Sequence, residues 1–336
     1  MKKSSILIAA ILLLSACNPK QYYQFSGYAQ GGIYNVKYSG IKANPEKVRE
    51  KVDSLLKEID FCLSGYNKAS ELSRFNAGDS LVPSPMFIEL YCLSLDWWQK
   101  SGGAFDAACA PLFDIWGFGF RQEEMPDEKS ISECLANCGS ARLISAGQAR
   151  SLLGKRVCSR DFLRPEFRES APVELNFNAI AQGYSCDLVA GLLSDMGAED
   201  MLVDIGEIFC RGLNPQSKGW TIGIDNPADG NDTPGKDIRD IWQGDGSPCG
   251  VVTSGNYRKF YIREGKKYSH TIDPRSGRPV EHNLLSATVI APSATDADAL
   301  ATCFMVIGFG QARAYLARHP ELKACLITAD EVWKNY

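Results

Sequence analysis

Two nearby stretches decide the prediction for this chain: TSGNYRKFYIREGKKYSHTIDPRSGRPV at residues 253–280 and SATVIAPSATDADALAT at residues 286–302. The first opens on a turn at Thr253 and contains His270 in a polar run. The second is an alternating strand followed by Asp298. The chain has three histidines, and His270 is the one set among hydroxyl and carboxyl side chains. These stretches therefore hold most of the groups that could carry out chemistry.

The segment that begins at Asp298 has the periodicity of a buried helix. Its apolar residues continue to Ile307, and Gly308 is predicted to end it. Thr302 lies four residues after Asp298, which places the hydroxyl and the carboxylate on one face, one turn apart. Oxygen ligands of this kind, completed by backbone carbonyls and phosphate oxygens, suit Mg²⁺. The same pattern also fits an Asp that caps the first turn of a helix.

The N-terminus, MKKSSILIAAILLLSAC, is typical of an export signal. Its apolar run follows two lysines and is too short to span a membrane. The ending LSAC resembles a bacterial lipoprotein signal, which implies that residues 1–16 are removed and that Cys17 is lipidated. We therefore expect a tether over residues 17–24, a folded domain over residues 25–336, and a protein anchored to a bacterial membrane and facing the periplasm. The alternative is an ordinary cleaved signal with a chance cysteine.

Composition limits the remaining possibilities. The net charge of −4 argues against nucleic acid as the main partner. Beyond Cys17 the cysteines are odd in number and form no CxxC pair, so we expect mostly buried free thiols, one or two bridges that cannot be specified, and no zinc site. No further apolar run reaches spanning length.

Short strands alternate with helices along the chain, which indicates a protein of mixed α and β structure. Helices are predicted over residues 48–62 and 85–101, and residues 227–250, rich in Asp, Gly and Pro, are predicted to form a surface excursion. Residues 173–187 pass from a strand into a helix, and free N–H groups at such a junction suit phosphate. Aromatic side chains in the Gly-rich segment 104–119 could stack on a planar ligand or fill a core.

Six motifs complete the prediction: LSGYNKASELSRFN, SGGAFDAACAPLFDIWGFG, NAIAQGYSCD, VVTSGNYRKFY, SHTIDPRSG and DADALAT. In this order they resemble the ApbE family of flavin transferases, periplasmic lipoproteins that move FMN from FAD onto another protein. The resemblance covers roughly residues 25–318. It implies an α+β fold with mixed β-sheets flanked by helices, in which two lobes enclose a flavin cleft.

The resemblance also implies roles for individual residues. Mg²⁺ would be held by Asp298, by Thr302 and by the carbonyls of Ala179 and Thr295. His270 would be the catalytic base, with Asp298 as the alternative base and a structural role as the alternative for His270. The residues implied in binding FAD, as substrate, are Gln30, Tyr66, Ala104, Phe105, Asp106, Asn176, Gln182, Thr253, Ser254, His270, Thr271 and Ile272.

Three positions depart from the family pattern. Gln182 stands where the family has a lysine, which removes a positive charge but keeps a group able to hydrogen-bond phosphates. The family's Gly-Gly-Glu is shortened to Gly206-Glu207, and Gly31-Gly32 replaces a Gly-Thr.

The implied reaction is attack by a Ser or Thr hydroxyl of an acceptor flavoprotein at the FMN-side phosphorus of FAD, which releases AMP. The acceptor would be a subunit of a redox-driven ion pump. A His such as His270 suits the removal of the hydroxyl proton, because the pKa of this residue type lies near neutrality. Two alternatives stay open: an Mg²⁺-dependent FAD pyrophosphatase that gives free FMN and AMP, and a non-catalytic FAD-binding lipoprotein, which Gln182 favours.

Overall fold

An eight-stranded sheet forms the centre of the protein. The computed structural model describes residues 20–119, 125–228, 230–231, 233–257, 260–263 and 265–336. The strands are β1 (Tyr22–Ala29), β2 (Gly32–Ser39), β3 (Met201–Asp204), β4 (Ile208–Arg211), β5 (Thr221–Asp225), β6 (Ile238–Gln243), β7 (Cys249–Gly255), β8 (Phe260–Arg263), β9 (Lys266–Ser269), β10 (Ile272–Asp273), β11 (Arg278–Pro279), β12 (Leu284–Ala291), β13 (Lys323–Thr328) and β14 (Val332–Lys334).

The central sheet has the order β1-β2-β3-β4-β7-β12-β13-β14, and each neighbouring pair is antiparallel. Three two-stranded sheets, β5-β6, β8-β9 and β10-β11, are antiparallel as well. The α+β class is confirmed. The strand directions are more uniform than the predicted mixed sheets, because each neighbouring pair of the central sheet runs in opposite directions.

Eight α-helices accompany these strands in the described ranges. They are α1 (Pro45–Leu63), α2 (Glu71–Asn76), α3 (Pro85–Lys100), α4 (Ala110–Ile115), α5 (Glu128–Asn137), α6 (Ala146–Arg150), α7 (Ala181–Asp195) and α8 (Ala294–Leu316). The predicted helices over residues 48–62 and 85–101 are confirmed as α1 and α3. Each begins with a proline in its first turn after a capping side chain: Asn44 accepts from the Glu46 N–H at 2.8 Å, and Ser84 accepts from the Phe87 N–H at 3.2 Å.

The sheet is buried on both faces. Alternate residues of β13 illustrate this: Ala324 and Leu326 belong to the main core, while Cys325 and Ile327 belong to a second core. The hairpin β5-β6 supplies Trp220 and Trp242 to that second core. The prediction of a surface excursion over residues 227–250 is therefore wrong from residue 238 onward, because β6 pairs with β5 and buries Trp242.

Helix α8 is kinked at Gly308. The predicted helical run does break there, since Gly308 has φ of 79°, but the chain then resumes the helix to Leu316. A side chain at 308 would lie 2.8 Å from the ring of His282. The same ring donates through Nε2 to the Met305 carbonyl at 2.8 Å, which satisfies a carbonyl within a turn of the break.

The ordered domain begins earlier than predicted. Residues 22–24, expected in the tether, lie in β1, where Tyr22 pairs with Ser39. The Tyr22 hydroxyl also donates to Asp200 at 3.0 Å, and Lys20 forms an ion pair with the same carboxylate at 2.5 Å. These contacts fix the start of the strand. The expected signal over residues 1–16 and Cys17 lie outside the described residues.

In the described part of the chain, one helix is long and apolar enough to cross a membrane. This helix is α8, and over half of its most apolar window is buried inside the protein. The prediction that no further apolar run has spanning length missed it. Burial on this scale is typical of the core helix of a globular domain.

Candidate active site

Helices α7 and α8 touch at their N-terminal ends, and Gly183 makes this contact possible. The Gly183 N–H donates to Oδ2 of Asp298 at 3.0 Å. A Cβ at position 183 would lie 2.2 Å from the Ala294 carbonyl oxygen and 2.8 Å from the Asp298 Cβ. Only a residue without a side chain therefore allows this approach, which holds Asp298 against the first turn of α7.

Asp298 is a buried carboxylate, 5 % exposed. Burial raises its pKa to about 7, helped by the negative charge of Asp187 and opposed by the hydrogen bond from Gly183. Among the described residues, the Gly183 N–H is its hydrogen-bond donor, so the second carboxylate oxygen is left for another ligand. A cation bound at this oxygen would relieve the desolvation of the charge, which fits the predicted role of Asp298 as a Mg²⁺ ligand.

Asp187, to which the sequence analysis gave no role, holds the start of α8. Its Oδ1 accepts from the Ala294 N–H at 2.9 Å. Its Oδ2 accepts from the N–H and the hydroxyl of Thr295, at 2.8 and 2.5 Å. The signal was present in the motif NAIAQGYSCD, because Asp187 follows Gly183 by four residues and so shares its helix face.

Strand β7 brings two predicted residues to the same place. The Ser254 and Thr302 hydroxyl oxygens are 3.5 Å apart, which joins the strand to α8 one turn after Asp298. The Thr253 hydroxyl hydrogen-bonds Thr288 at 2.8 Å, and its N–H donates to Glu207 at 3.3 Å. The predicted turn at Thr253 is wrong, because Thr253 and Ser254 lie in β7, where pairing with β12 fixes them beside the helix that carries Asp298 and Thr302.

The predicted metal ligands lie in α8 and just before α7. Among the described residues, no group of three or more His, Cys, Asp or Glu side chains could hold a metal ion. The predicted set has one carboxylate, one hydroxyl and two carbonyls, so it is not a set of this kind. The Ala179 carbonyl lies just before α7 and Thr295 lies in the first turn of α8, the two helix ends that Gly183 brings together. The ligand set stays a prediction.

A second group of predicted residues surrounds Asp106. Its carboxylate accepts from the Ala108 N–H at 2.9 Å and from the N–H and hydroxyl of Ser140 at 2.9 and 2.6 Å. Burial raises its pKa although these hydrogen bonds lower it. The Asn176 N–H donates to the Ala107 carbonyl at 2.8 Å. Asp106 and Asn176 therefore lie on neighbouring segments, although their motifs are about seventy residues apart.

A pocket of about 440 Å³ lies beside this group. Asp106 lines it together with Arg275, which lies in the turn after β10. The remaining lining residues are Trp98, Gln99, Gly102, Gly103 and Pro274. The guanidinium of Arg275 binds the Asp273 carboxylate through two nitrogens, each at 2.9 Å. Residues from two of the six motifs, SGGAFD and SHTIDPRSG, thus line one pocket.

Three residues predicted to contact FAD have side chains that are buried in the structure, and their role in binding FAD stays a prediction. Phe105, predicted to lie against the ring system, is 2 % exposed and packs in the main core. Ile272 packs in a third core with Trp116 and Ile131, and Ala104 is also buried. Apolar side chains of this size gain more from burial than from lining a wet cleft, so only their backbone can contribute to a site.

Other predicted residues are placed differently. Tyr66 is 70 % exposed and so presents its ring at the surface. Gln30, in the turn between β1 and β2 with φ of 51°, donates to the Ser185 hydroxyl of α7 at 2.6 Å. The Gln182 amide donates to the Ile205 carbonyl at 3.2 Å.

His270 lies next to a stack of aromatic rings. The ring is half-buried, and its edge meets Phe118 at a centroid distance of 6.4 Å. Phe118 stacks on Tyr261 at 5.1 Å, and Tyr261 stacks on Tyr268 at 5.3 Å. The adjacent Thr271 hydroxyl donates to Asn256 at 2.5 Å. The aromatic side chains of the Gly-rich segment thus pack on those of β8 and β9.

Fold and site together define an α+β protein with a buried carboxylate where two helix N-termini meet the central sheet. The sequence pattern of the ApbE family matches residues 30–326, so the chain belongs to the ApbE family, as its six motifs predicted.

Relatives and solved structures agree with this assignment. The chain is 32 % identical to the FAD:protein FMN transferase of Vibrio cholerae over 100 % of this chain and 97 % of that protein. It is 31 % identical to the FAD:protein FMN transferase of Escherichia coli K12 over 93 % of this chain and 88 % of that protein. The crystal structure of the Pseudomonas stutzeri flavinyl transferase ApbE superposes with a TM-score of 0.77 at 32 % identity, covering 94 % of this chain and 95 % of that one.

Proposed function

We propose that this chain is a FAD:protein FMN transferase. It moves FMN from FAD to a Ser or Thr hydroxyl of an acceptor flavoprotein and releases AMP. The observation that carries the proposal is the junction at Gly183, where the buried carboxylate of Asp298 meets the first turn of α7 within reach of Thr302 and Ser254. The names of the family's relatives support the same reaction.

The junction offers the groups that a pyrophosphate requires. The first turn of α7 carries the positive end of the helix dipole, which favours phosphate oxygens, while its Ala181 and Gly183 N–H groups already donate to the Phe177 carbonyl and to Asp298. Mg²⁺ would be held by Asp298, by Thr302 and by the carbonyls of Ala179 and Thr295. Bound there, it neutralises the charge that develops on the phosphate oxygens as the pyrophosphate bond breaks.

His270 is proposed to accept the proton of the attacking hydroxyl. His270 is half-buried, and its ring and that of Phe118 meet at an angle of 68° with centroids 6.4 Å apart. The flavin is proposed to lie near the exposed Tyr66. The pocket that Asp106 and Arg275 line is proposed to belong to the same binding cleft.

We further propose that the protein is exported, lipidated at Cys17 and anchored to a membrane facing the periplasm. The leader that resembles a lipoprotein signal supports this location. The acceptor would then be the flavoprotein subunit of a redox-driven ion pump in the same membrane.

The test is a transfer assay with the full chain in detergent, FAD, Mg²⁺ and such a subunit. The matched control is the same subunit with its acceptor Ser or Thr replaced by Ala. We expect the acceptor to gain the mass of one FMN less one water, with an equal amount of AMP, in the presence of Mg²⁺ only. Equal amounts of free FMN and AMP with both acceptor forms would show that the protein is a pyrophosphatase and not a transferase. Bound FAD without any product would overturn catalysis.

A further inference from the structure

Two cysteines of neighbouring strands face each other inside the second core. Cys210 is the last residue of β4 that pairs with β7, and Cys249 is the first residue of β7. The register pairs them directly, and their Sγ atoms are 3.7 Å apart. Both are buried, at 2 % and 9 % exposure. They are thiols in the structure, yet no side chain has to move far for the sulfurs to bond.

Strand pairing already supplies the backbone geometry of a disulfide. Residues directly opposite on antiparallel strands have Cα atoms about 4.5–5.5 Å apart. Disulfides require Cα separations of about 4.4–6.8 Å. Opposed residues also project to the same face of the sheet, so that the two Cβ atoms point in the same direction. We propose that Cys210 and Cys249 form a cross-strand disulfide, a covalent link at the centre of the sheet that is independent of the proposed transferase activity.

The other close pair of thiols is not aligned by strand pairing. The Sγ atoms of Cys109 and Cys138 are 3.9 Å apart, but Cys109 precedes α4 and Cys138 follows α5. No strand pairing fixes their backbones in register. Cys138 also hydrogen-bonds Cys134, which divides its contacts between two thiols. The strand-borne pair is the one that the fold aligns.

The chemistry of bond formation is ordinary thiol–disulfide exchange. The shared hydrogen bond lowers the pKa of the Cys249 thiol and raises that of Cys210, so the pair favours one thiolate. The Cys249 thiolate attacks one sulfur of the disulfide of a protein thiol oxidoreductase or of oxidised glutathione, displaces the other sulfur as a thiolate and forms a mixed disulfide. Cys210 then attacks the Cys249 sulfur and releases the reduced thiol of the oxidant. The pair loses two electrons and two protons, and the oxidant gains them.

The order of folding decides when this happens. Trp220 and Trp242 lie in the same core as the pair, and the Trp220 indole N–H donates to the Arg211 carbonyl, next to Cys210, at 3.0 Å. An oxidant cannot reach sulfurs covered in this way. The bond therefore forms while β4 and β7 have paired but before the β5-β6 hairpin closes over them.

The experiment is refolding of the reduced, denatured full chain in a buffer of reduced and oxidised glutathione. After denaturation in iodoacetamide without reductant, the chain is digested and mapped by mass spectrometry. We expect a linked peptide pair containing Cys210 and Cys249, and alkylation of both only after reduction. Cys325 is the internal control, because it is fully buried in the same core beside the Tyr336 hydroxyl rather than opposite another cysteine. Alkylation of the pair to the same extent as Cys325 would overturn the proposal.

A second measurement does not depend on peptide recovery. Dithiothreitol should lower the urea midpoint of the refolded wild type but not that of the double variant Cys210→Ala/Cys249→Ala. An equal shift of both proteins would assign the effect to other cysteines and refute the link. Should the double variant fail to fold, the single variant Cys210→Ser serves: it should leave Cys249 alkylated without reduction, and continued protection of Cys249 would refute the pairing.

Discussion

Replacing Gly183 by alanine tests the contact on which the candidate site depends. The added methyl would lie 2.2 Å from the Ala294 carbonyl oxygen and 2.8 Å from the Asp298 Cβ. Carbon atoms in contact are about 3.5–4.0 Å apart, so the ends of α7 and α8 must separate by about 1 Å. Overpacking of this kind costs about 1–3 kcal/mol of folding stability. The hydrogen bond from the Gly183 N–H to Asp298 would lengthen with the same movement.

The effect on activity should exceed the effect on stability. A displacement of about 1 Å in catalytic geometry can reduce a rate by about 10²-fold. We therefore expect Gly183→Ala to transfer FMN about a hundred times more slowly and to require more Mg²⁺. Gly191→Ala is the matched control, because it lies in the same helix with no atom within 4 Å of its Cβ. This control should gain up to about 1 kcal/mol in stability from helix propensity and keep its activity.

Urea unfolding gives the stability of both variants, and initial rates of acceptor labelling across a Mg²⁺ titration give their activity. The two alanines differ only in their position on α7. If Gly183→Ala were as stable and as active as Gly191→Ala, the close approach of the helices and its role in placing Asp298 would both be wrong.

Three further predictions concern single side chains. Asp298→Asn should keep its acceptor for the Gly183 N–H and fold at least as stably as wild type, because a buried charge is removed, but should lose Mg²⁺-dependent transfer; full activity in Mg²⁺ would reject the metal site. His270→Ala should bind FAD with unchanged affinity by fluorescence titration and lose transfer, whereas an unchanged rate and pH profile would make the histidine structural. The Asp200 carboxylate is buried, which alone would raise its pKa, but hydrogen bonds led by that from Lys20 lower the pKa to about 2. Its interactions therefore stabilise the fold by about 2 kcal/mol above pH 4 and are lost as the pH falls through 2. Asp200→Asn should accordingly lower the urea midpoint at pH 7, keep about half of this deficit at pH 3 and approach wild type only as the pH falls to 2 and below; an equal deficit at pH 7 and pH 2 would contradict the ionic origin.

Much of the helical structure could be predicted because its causes are local. Helix α3 has Ser84 as a cap, proline in its first turn and apolar residues at helical spacing, all within twenty residues. The face shared by Asp298 and Thr302 follows from their spacing alone. The break at Gly308 was visible for the same reason. The continuation of the helix beyond Gly308 could not be predicted locally, because the Met305 carbonyl near the break is satisfied by His282, which lies on a different segment.

The parts of the site that escaped prediction depend on tertiary contacts. Asp187 is one of many carboxylates in the sequence, and its role appears only where α7 meets the N–H groups of Ala294 and Thr295. From the sequence, Phe105 could line a cleft or fill a core; in the structure its side chain packs in the main core. No local pattern distinguishes these alternatives.

Two departures from the family pattern, which looked independent in the sequence, meet at one place in the structure. The family resemblance implies a lysine at Gln182 and a longer loop at Gly206, which lies two residues after the end of β3. The Gln182 amide donates to the Ile205 carbonyl, and a Cβ at position 206 would lie 2.6 Å from the same amide nitrogen. Gly206 also has φ of 93°, which favours glycine. The amide and the short loop therefore fit each other: the glutamine that removes a charge from the start of α7 holds the strand end through a carbonyl.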